Sequence, residues 1–320
     1  MRLDRERRAI IKKNDSNAKN IIKAIMCLNG GRKMYDSVAL ANVFIDTAGL
    51  TNDLPFRAPR LITSGWEPQK IADITCYVKP GTSNNTIFFL HGGGYTQRPT
   101  IFHFRFLDEL HKRTGAHIVM PLYPLSPNHN FIEAYQKVTR VYEQVRFLAP
   151  THCLTMMGDS AGGGLSLGLL MHFHELKIPE PDRLILVAPF LDINMVNSRI
   201  KDIEPRDRML GSIGLIEFGK RWAAGHDTYQ YRLSPIYGDL SVVKQIMIVA
   251  GTQDILYPDA ELLKNKLLEL AKDVVFVKGD DMPHDYPLIP LPEAKIATEQ
   301  IAEYILSHPC LIKDVDHQSL

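Results

Sequence analysis

Cys153-Leu154-Thr155-Met156-Met157-Gly158-Asp159-Ser160-Ala161-Gly162-Gly163 is the stretch on which the reading of this chain turns. An unbroken apolar run of strand length meets a serine between glycines, and a helix-like run follows over 161–176. The bare G-x-S-x-G pattern is weak, because composition alone supplies it in about one chain of this length in ten. Its place between a strand and a helix gives it weight. A serine on a tight, strained strand-to-helix turn projects its hydroxyl clear of the sheet. Gly158 and Gly162 remove side chains that would strike neighbouring backbone, and the helix N-terminus below favours developing negative charge.

Outward from this turn, short apolar runs alternate with helical segments from residue 71 onward. The pattern predicts strands over 71–78, 86–90, 116–120, 153–157, 183–188, 245–250 and 273–277. Helices are predicted over 130–147, 161–176, 259–271 and 291–306. Strands from 86 on are mostly continuous apolar runs, as expected where both faces of a sheet are covered. Alternation of strands with helices implies an α/β fold with a mostly parallel, doubly wound sheet.

The connection from Val187 to Gln245 is far longer than the usual loop of about 4–6 residues. It predicts an insertion over 191–235 beyond the carboxyl edge of the sheet, where open α/β sheets bind ligands. The first 60 residues read as an N-terminal helical segment. Asn14-Asp15-Ser16-Asn17 offers caps, Ile21, Ile22, Ile25 and Met26 recur at helical spacing, and Asn29-Gly30-Gly31 stops the run. A second amphipathic stretch carries Met34, Val38, Ala41 and Ile45 and ends at Gly49. The expected organisation is a core of 61–190 and 236–320, with 1–60 and 191–235 forming a cap over it.

The chain of 320 residues has 45% hydrophobic and 23% charged residues, the balance of an ordinary globular protein. A formal net charge of +1 gives no reason to expect a nucleic-acid partner. No apolar run reaches the roughly 18 residues of a membrane span, and Lys23 interrupts the only candidate for a signal-peptide core. Cys76 and Cys153 sit in apolar strand-like runs and read as buried free thiols. Together these point to a cytoplasmic protein.

The second chemical signal is His91-Gly92-Gly93-Gly94-Tyr95, directly after the strand Thr86 to Leu90. Three glycines let the backbone turn N–H groups toward a developing oxyanion, and the Ala161 N–H would complete that hole. A phosphate loop is disfavoured, since no G-K-[ST] follows. His91 reads as a brace of this loop. A serine needs a base, and among twelve histidines His284 stands out, in the loop after the last strand within Asp281-Met282-Pro283-His284-Asp285-Tyr286-Pro287. His103, His111, His117, His129, His152, His226, His308 and His317 have no supporting motif, and His172 and His174 make a poor metal pair. The orienting acid should follow the preceding strand. Asp254 stands at that strand end, Asp259 five residues on, and Asp285 beside the histidine is a third candidate; the strand-end position favours Asp254.

With these pieces placed, the chain resembles the hormone-sensitive-lipase-like carboxylesterases of the α/β-hydrolase superfamily. The resemblance rests on His91-Gly92-Gly93-Gly94-Tyr95, on Gly158-Asp159-Ser160-Ala161-Gly162-Gly163, on Pro121-Leu122-Tyr123-Pro124-Leu125-Ser126-Pro127 and on Ser234-Pro235-Ile236-Tyr237-Gly238. It implies a Ser160–Asp254–His284 triad, an oxyanion hole of Gly93, Gly94 and Ala161, a helical cap, and hydrolysis of small-molecule esters of short to medium chain without any cofactor; no carboxylate and histidine arrangement suggests a metal site. Two departures stand out. The acid turn reads Asp254-Ile255-Leu256 where the family commonly has Asp-Pro-Leu, and the residue after the histidine is Asp285 where glycine is common. The same triad would also serve an amidase, peptidase or acyltransferase, and the same fold a binding protein whose chemistry has decayed. A last strand at the sheet edge would also allow pairing with a second copy.

Overall fold

The computed structural model describes residues 32–58, 64–308 and 310. Its sheet has eight strands: β1 (Glu67–Ile71), β2 (Ile74–Lys79), β3 (Asn85–Leu90), β4 (His117–Pro121), β5 (Cys153–Asp159), β6 (Arg183–Val187), β7 (Gln245–Gly251) and β8 (Asp273–Gly279). They lie in the order β1-β2-β4-β3-β5-β6-β7-β8. β2 is antiparallel to both its neighbours, and the strands from β4 to β8 are parallel. The single strand expected over 71–78 is instead the end of a hairpin. Ala72 and Asp73 turn the chain with φ of 43° and 69°, the two left-handed residues of a tight hairpin turn. The exposed first arm, Glu67 to Lys70, lacks the apolar run that reveals a strand.

Period-two alternation divides the sheet residues between two cores. Phe88, Leu90, Leu154, Met156, Leu184, Leu186, Ile246 and Ile248 face one side. Ile87, Phe89, Met157, Ile185, Val187, Met247 and Val249 face the other. The first side is covered by α3 (Phe131–Leu148), α4 (Ser160–Leu176) and α7 (Tyr257–Glu269), the second by α2 (Ile101–Thr114) and α8 (Pro292–Ser307). Such double coverage is why the strands read as continuous apolar runs. Helix α2 is not among the predicted helices. Its apolar stripe of Phe104, Phe106, Leu107 and Leu110 is interleaved with charge, and its start is a capping box between Thr100 and His103 rather than a familiar acidic one.

Order in the sheet also locates a binding crevice. β3 leads to β4 on one side, and the chain then returns to β5 on the other. Carboxyl ends of neighbouring strands diverge at such a switch point and leave a cleft. Outside the sheet stand α1 (Val38–Asn52) and, in the long β6–β7 connection, α5 (Ile200–Ile203) and α6 (Ser212–Ala223); Met34, Tyr35, Met209, Leu210 and Leu215 line the cavity beside Ser160. Tyr35 and Phe44 pack on Phe218 of α6 with ring centroids 5.6 and 5.8 Å away. Arg32 Nη1 donates to the carbonyls of Glu204 and Asp207, at 2.9 and 2.6 Å. The helix expected around Ile21–Met26 lies outside the described residues, and so does His317.

One sequence expectation is corrected. Cys153 is not a free thiol but is joined to Cys310 in a disulfide, with Cα atoms 5.3 Å apart. The chain beyond α8 returns to the start of β5, where Arg183 Nη2 donates to the His308 carbonyl at 2.5 Å. A separation of 157 residues conceals the pairing in sequence. Cys76 is free and buried, so of the two thiols read as free only that one remains. Among the described residues no helix is long and apolar enough to cross a membrane.

Phe104, 1% exposed, carries much of the second core through edge contacts with Trp66 and Tyr77, centroids 5.3 and 5.2 Å away. Phe104→Ala is expected to lower unfolding free energy by about 3–5 kcal/mol. Phe147→Ala, at a site 81% exposed, should change it by less than about 0.5 kcal/mol. Urea titration of both variants checks the contrast.

Candidate active site

Parallel pairing of β3 with β5 sets Leu90 opposite Gly158. The residues that leave the two strands, His91 to Gly94 and Asp159 to Ser160, therefore emerge side by side at the switch point. Ser160 has φ of 49°, a left-handed conformation that non-glycine residues adopt only under constraint. The constraint is visible around it. The Phe190 N–H donates to the Ser160 carbonyl at 2.9 Å. A Cβ on Gly162 would run into the Leu90 and His91 carbonyls, so the first turn of α4 can lie against β3 only with glycine there.

The glycine loop is bent by Gly93 and Gly94, with φ of 111° and 61°. The Gly93 carbonyl accepts from the N–H groups of Thr96 and Gln97 at 3.0 and 2.8 Å. Among the described residues the N–H groups of Gly93 and Gly94 make no hydrogen bond, and both glycines line the cavity that Ser160 lines. Ala161 stands in the first turn of α4, whose N–H groups have no partner within the helix.

Two buried side chains hold this loop against β5. Asp159 Oδ1 accepts from the Gly92 N–H at 2.9 Å, and its Oδ2 accepts from His103 Nε2 at 3.2 Å. His103 Nδ1 in turn accepts from the Thr100 N–H at 2.9 Å, the reciprocal half of the α2 cap. Burial disfavours charge on either partner, yet their mutual attraction prevails: the His103 pKa is raised and that of Asp159 lowered. His91 donates from Nδ1 to the Gly92 carbonyl at 2.8 Å and stacks on Tyr123, centroids 4.5 Å apart. Burial pulls its pKa down to about 4, so it stays neutral as a brace.

The structure brings His284 and Asp254 together. His284 Nδ1 lies 2.7 Å from Asp254 Oδ2, and Asp254 Oδ1 accepts from the Leu256 N–H at 2.8 Å. Asp259 is elsewhere, accepting from Asn197 Nδ2 at 2.8 Å. Asp285 also touches the imidazole, with Oδ2 3.0 Å from Nε2. Ser160 and His284 face the same cavity, but among the described residues no hydrogen bond joins Ser160 Oγ to the imidazole. That cavity, of about 140 Å³, has Met34, Phe102, Met209, Leu215, Leu288 and Ile289 among its apolar walls.

Sequence reading missed His103 and the reach of Asp285. The T-x-x-H spacing from Thr100 to His103 signals a cap, but nothing local tells that the ring's far nitrogen meets Asp159. Other histidines have partners of their own: His129 lies between Asp53 and Glu133, and His152 contacts Thr86 Oγ1 at 2.9 Å.

A carboxyl held below its ordinary pKa of 3.8 contributes stability that is complete above that value and fades as the pH falls through its folded pKa. Asp159→Asn is therefore expected to destabilise by roughly 2 kcal/mol at neutral pH. The deficit should shrink below pH 3.8. Denaturant titrations across that range provide the measurement.

Comparison with known proteins agrees with this architecture. Residues 87–288, more than half of the chain, match the family described as alpha/beta hydrolase fold. An acetyl-hydrolase from Streptomyces hygroscopicus is 26% identical, over 72% of this chain and 78% of its own length. An esterase from Acinetobacter venetianus is 27% identical, over 71% and 76%. A hormone-sensitive lipase from a metagenome library shares the fold, with a TM-score of 0.75, 23% identity and coverage of 89% and 97%. From strand order, strand-to-helix turn and family match together, the chain belongs to the alpha/beta hydrolase family.

Proposed function

We propose that this protein is a serine carboxylesterase that hydrolyses short- to medium-chain esters through an acyl-enzyme. The observation that carries the reading is one cavity shared by a strained Ser160, two unpaired glycine N–H groups and a histidine backed by Asp254. Ser160 Oγ attacks the ester carbonyl while His284 takes its proton through Nε2. The oxyanion is held by the N–H groups of Gly93, Gly94 and Ala161. His284 then protonates the departing alcohol, and a water activated by the same nitrogen releases the acid. Asp254 on Nδ1 fixes the tautomer and stabilises the imidazolium.

The cavity of about 140 Å³ has apolar walls suited to the alkyl chain of an acyl group. The acetyl-hydrolase among the relatives favours acyl groups of a few carbons.

Ser160→Ala and His284→Ala are expected to lower kcat by about three orders of magnitude or more on p-nitrophenyl butyrate. Near wild-type turnover by Ser160→Ala would remove the nucleophile assignment. Asp254→Asn should lose far more activity than Asp259→Asn. In an acyl-chain series, kcat/KM should peak at short chains. A fluorophosphonate probe should label wild type and spare Ser160→Ala, whereas a binding protein with a disabled serine would not be labelled.

A further inference from the structure

Asp285 has no part in that mechanism, yet its carboxylate touches the atom the mechanism needs most. Asp285 Oδ2 is 3.0 Å from His284 Nε2 while Asp254 Oδ2 is 2.7 Å from Nδ1. A neutral imidazole offers one donor and one acceptor nitrogen. The 3.0 Å approach at Nε2 is an ion-pair contact, and a carboxylate that close favours an imidazolium whose Nδ1 donates to Asp254. In the imidazolium Nε2 has no lone pair to accept from Ser160 Oγ, which fits the missing hydrogen bond.

We propose that Asp285 is a positioning residue that holds His284 by Nε2 in the resting enzyme, so that the base reaches Ser160 only after that proton has left. The inference rests on the reading of Ser160 and His284 as nucleophile and base.

The surroundings favour the imidazolium form. Burial works against charge on His284, but Asp254, from the connection between β7 and α7, and Asp285, from its own loop, override it and raise its pKa well above 6.5. Burial lifts Asp285 to about 6; the His284 charge offsets part of that, and Asp159 at the end of β5 and Asp254 add to it. His103 on α2 and Tyr35 ahead of α1 are further groups that feel the Asp285 charge. Asp207 of the insertion, raised to about 6 by burial and then by Asp254, adds a fourth carboxyl. Arg98 lines the same cavity, but its Nη2 donates to the Leu54 carbonyl at 2.7 Å. Carboxyls thus outnumber cations around the imidazole at neutral pH.

The direction of the pH effect follows. Above about pH 6 Asp285 is ionised and the ion pair is closed. As the pH rises through the His284 pKa, the Nε2 proton passes to solvent through the cavity. A lone pair then faces a carboxylate, the two repel, and the imidazole is free to meet Ser160. Asp285 has φ of 50°, a conformation that asparagine and glycine tolerate well. Asp285→Asn and Asp285→Gly therefore remove the charge with little backbone strain.

The test is the pH profile of kcat/KM on p-nitrophenyl butyrate for wild type and both variants. The His284 imidazole is titrated by NMR in parallel, in a Ser160→Ala background. The wild-type acid limb should lie above the ordinary histidine value of 6.5. In both variants it should move down by about one pH unit, roughly a tenfold gain in kcat/KM on the limb, with the alkaline plateau kept within a few-fold. The NMR titration of His284 should move down with it. An unmoved limb, or a uniform loss at every pH, would indicate a merely structural role and overturn the proposal. So would a wild-type His284 titrating at or below 6.5. If one variant does not fold, the other and the wild-type titration still decide. Because NMR reads His284 without turnover, inactivity toward esters would count against the esterase reading alone.

Discussion

The approach of α4 to β3 is the contact on which the rest of the site depends. Gly162 lies so close against the Leu90 and His91 carbonyls that no side chain fits between them. That contact presses the first helical turn onto the neighbouring strand, and Ser160 is left in the left-handed region to make the corner. Strain at one residue is sustained because the β3–β5 ladder and the sheet core on both faces hold the backbone on either side. Since Leu90 and Gly158 share a register, the same contact fixes the glycine loop relative to the serine.

Electrostatics adds a second layer of constraint. Three buried carboxyls, Asp159, Asp207 and Asp254, and the partly buried Asp285 surround two histidines whose pKa values are raised, His103 and His284. Each carboxyl has a distinct task in the geometry. Asp159 ties the glycine loop to β5, and Asp254 is hydrogen-bonded to His284 Nδ1. Asp207 accepts from the N–H groups of Met209, Leu210 and Ile255, and Asp285 lies on the far nitrogen. Removing charges from water is costly unless they are paired, so each histidine sits where two acids or one fully bonded acid can offset its burial.

Much of this was legible before any coordinates. Strands β3 to β7 announce themselves because both faces are buried, and the order of serine, acid and histidine follows from three strand ends. Most of the features that escaped depend on groups distant in sequence. Helix α2 has a charged, broken stripe whose apolar residues make sense only against Trp66 and Tyr77. The first hairpin arm is exposed and carries no periodic signal. Cys310 meets Cys153 from 157 residues away, and His103 Nε2 meets Asp159, 56 residues on.

The insertion is fastened at both chemical ends of the site rather than laid loosely over it. Phe218 abuts Gly94, and Trp222 stacks on Tyr95 at 4.6 Å, so α6 grips the glycine loop. At the other end, Asp207 Oδ2 accepts the Ile255 N–H at 2.8 Å, one residue beyond the orienting acid. Where Asp-Pro-Leu would offer no N–H at that position, Asp254-Ile255-Leu256 supplies a donor, and the insertion takes it. The departure from the family pattern at Ile255 thus has a structural use: a shift of the insertion would pull at once on the glycine loop and on the turn that carries Asp254. The same two attachments bring Tyr35 and Asp207 into the electrostatic surroundings of Asp285 and Asp254. Tyr35 and Asp207, from outside the core, thus feel the charges of Asp285 and Asp254.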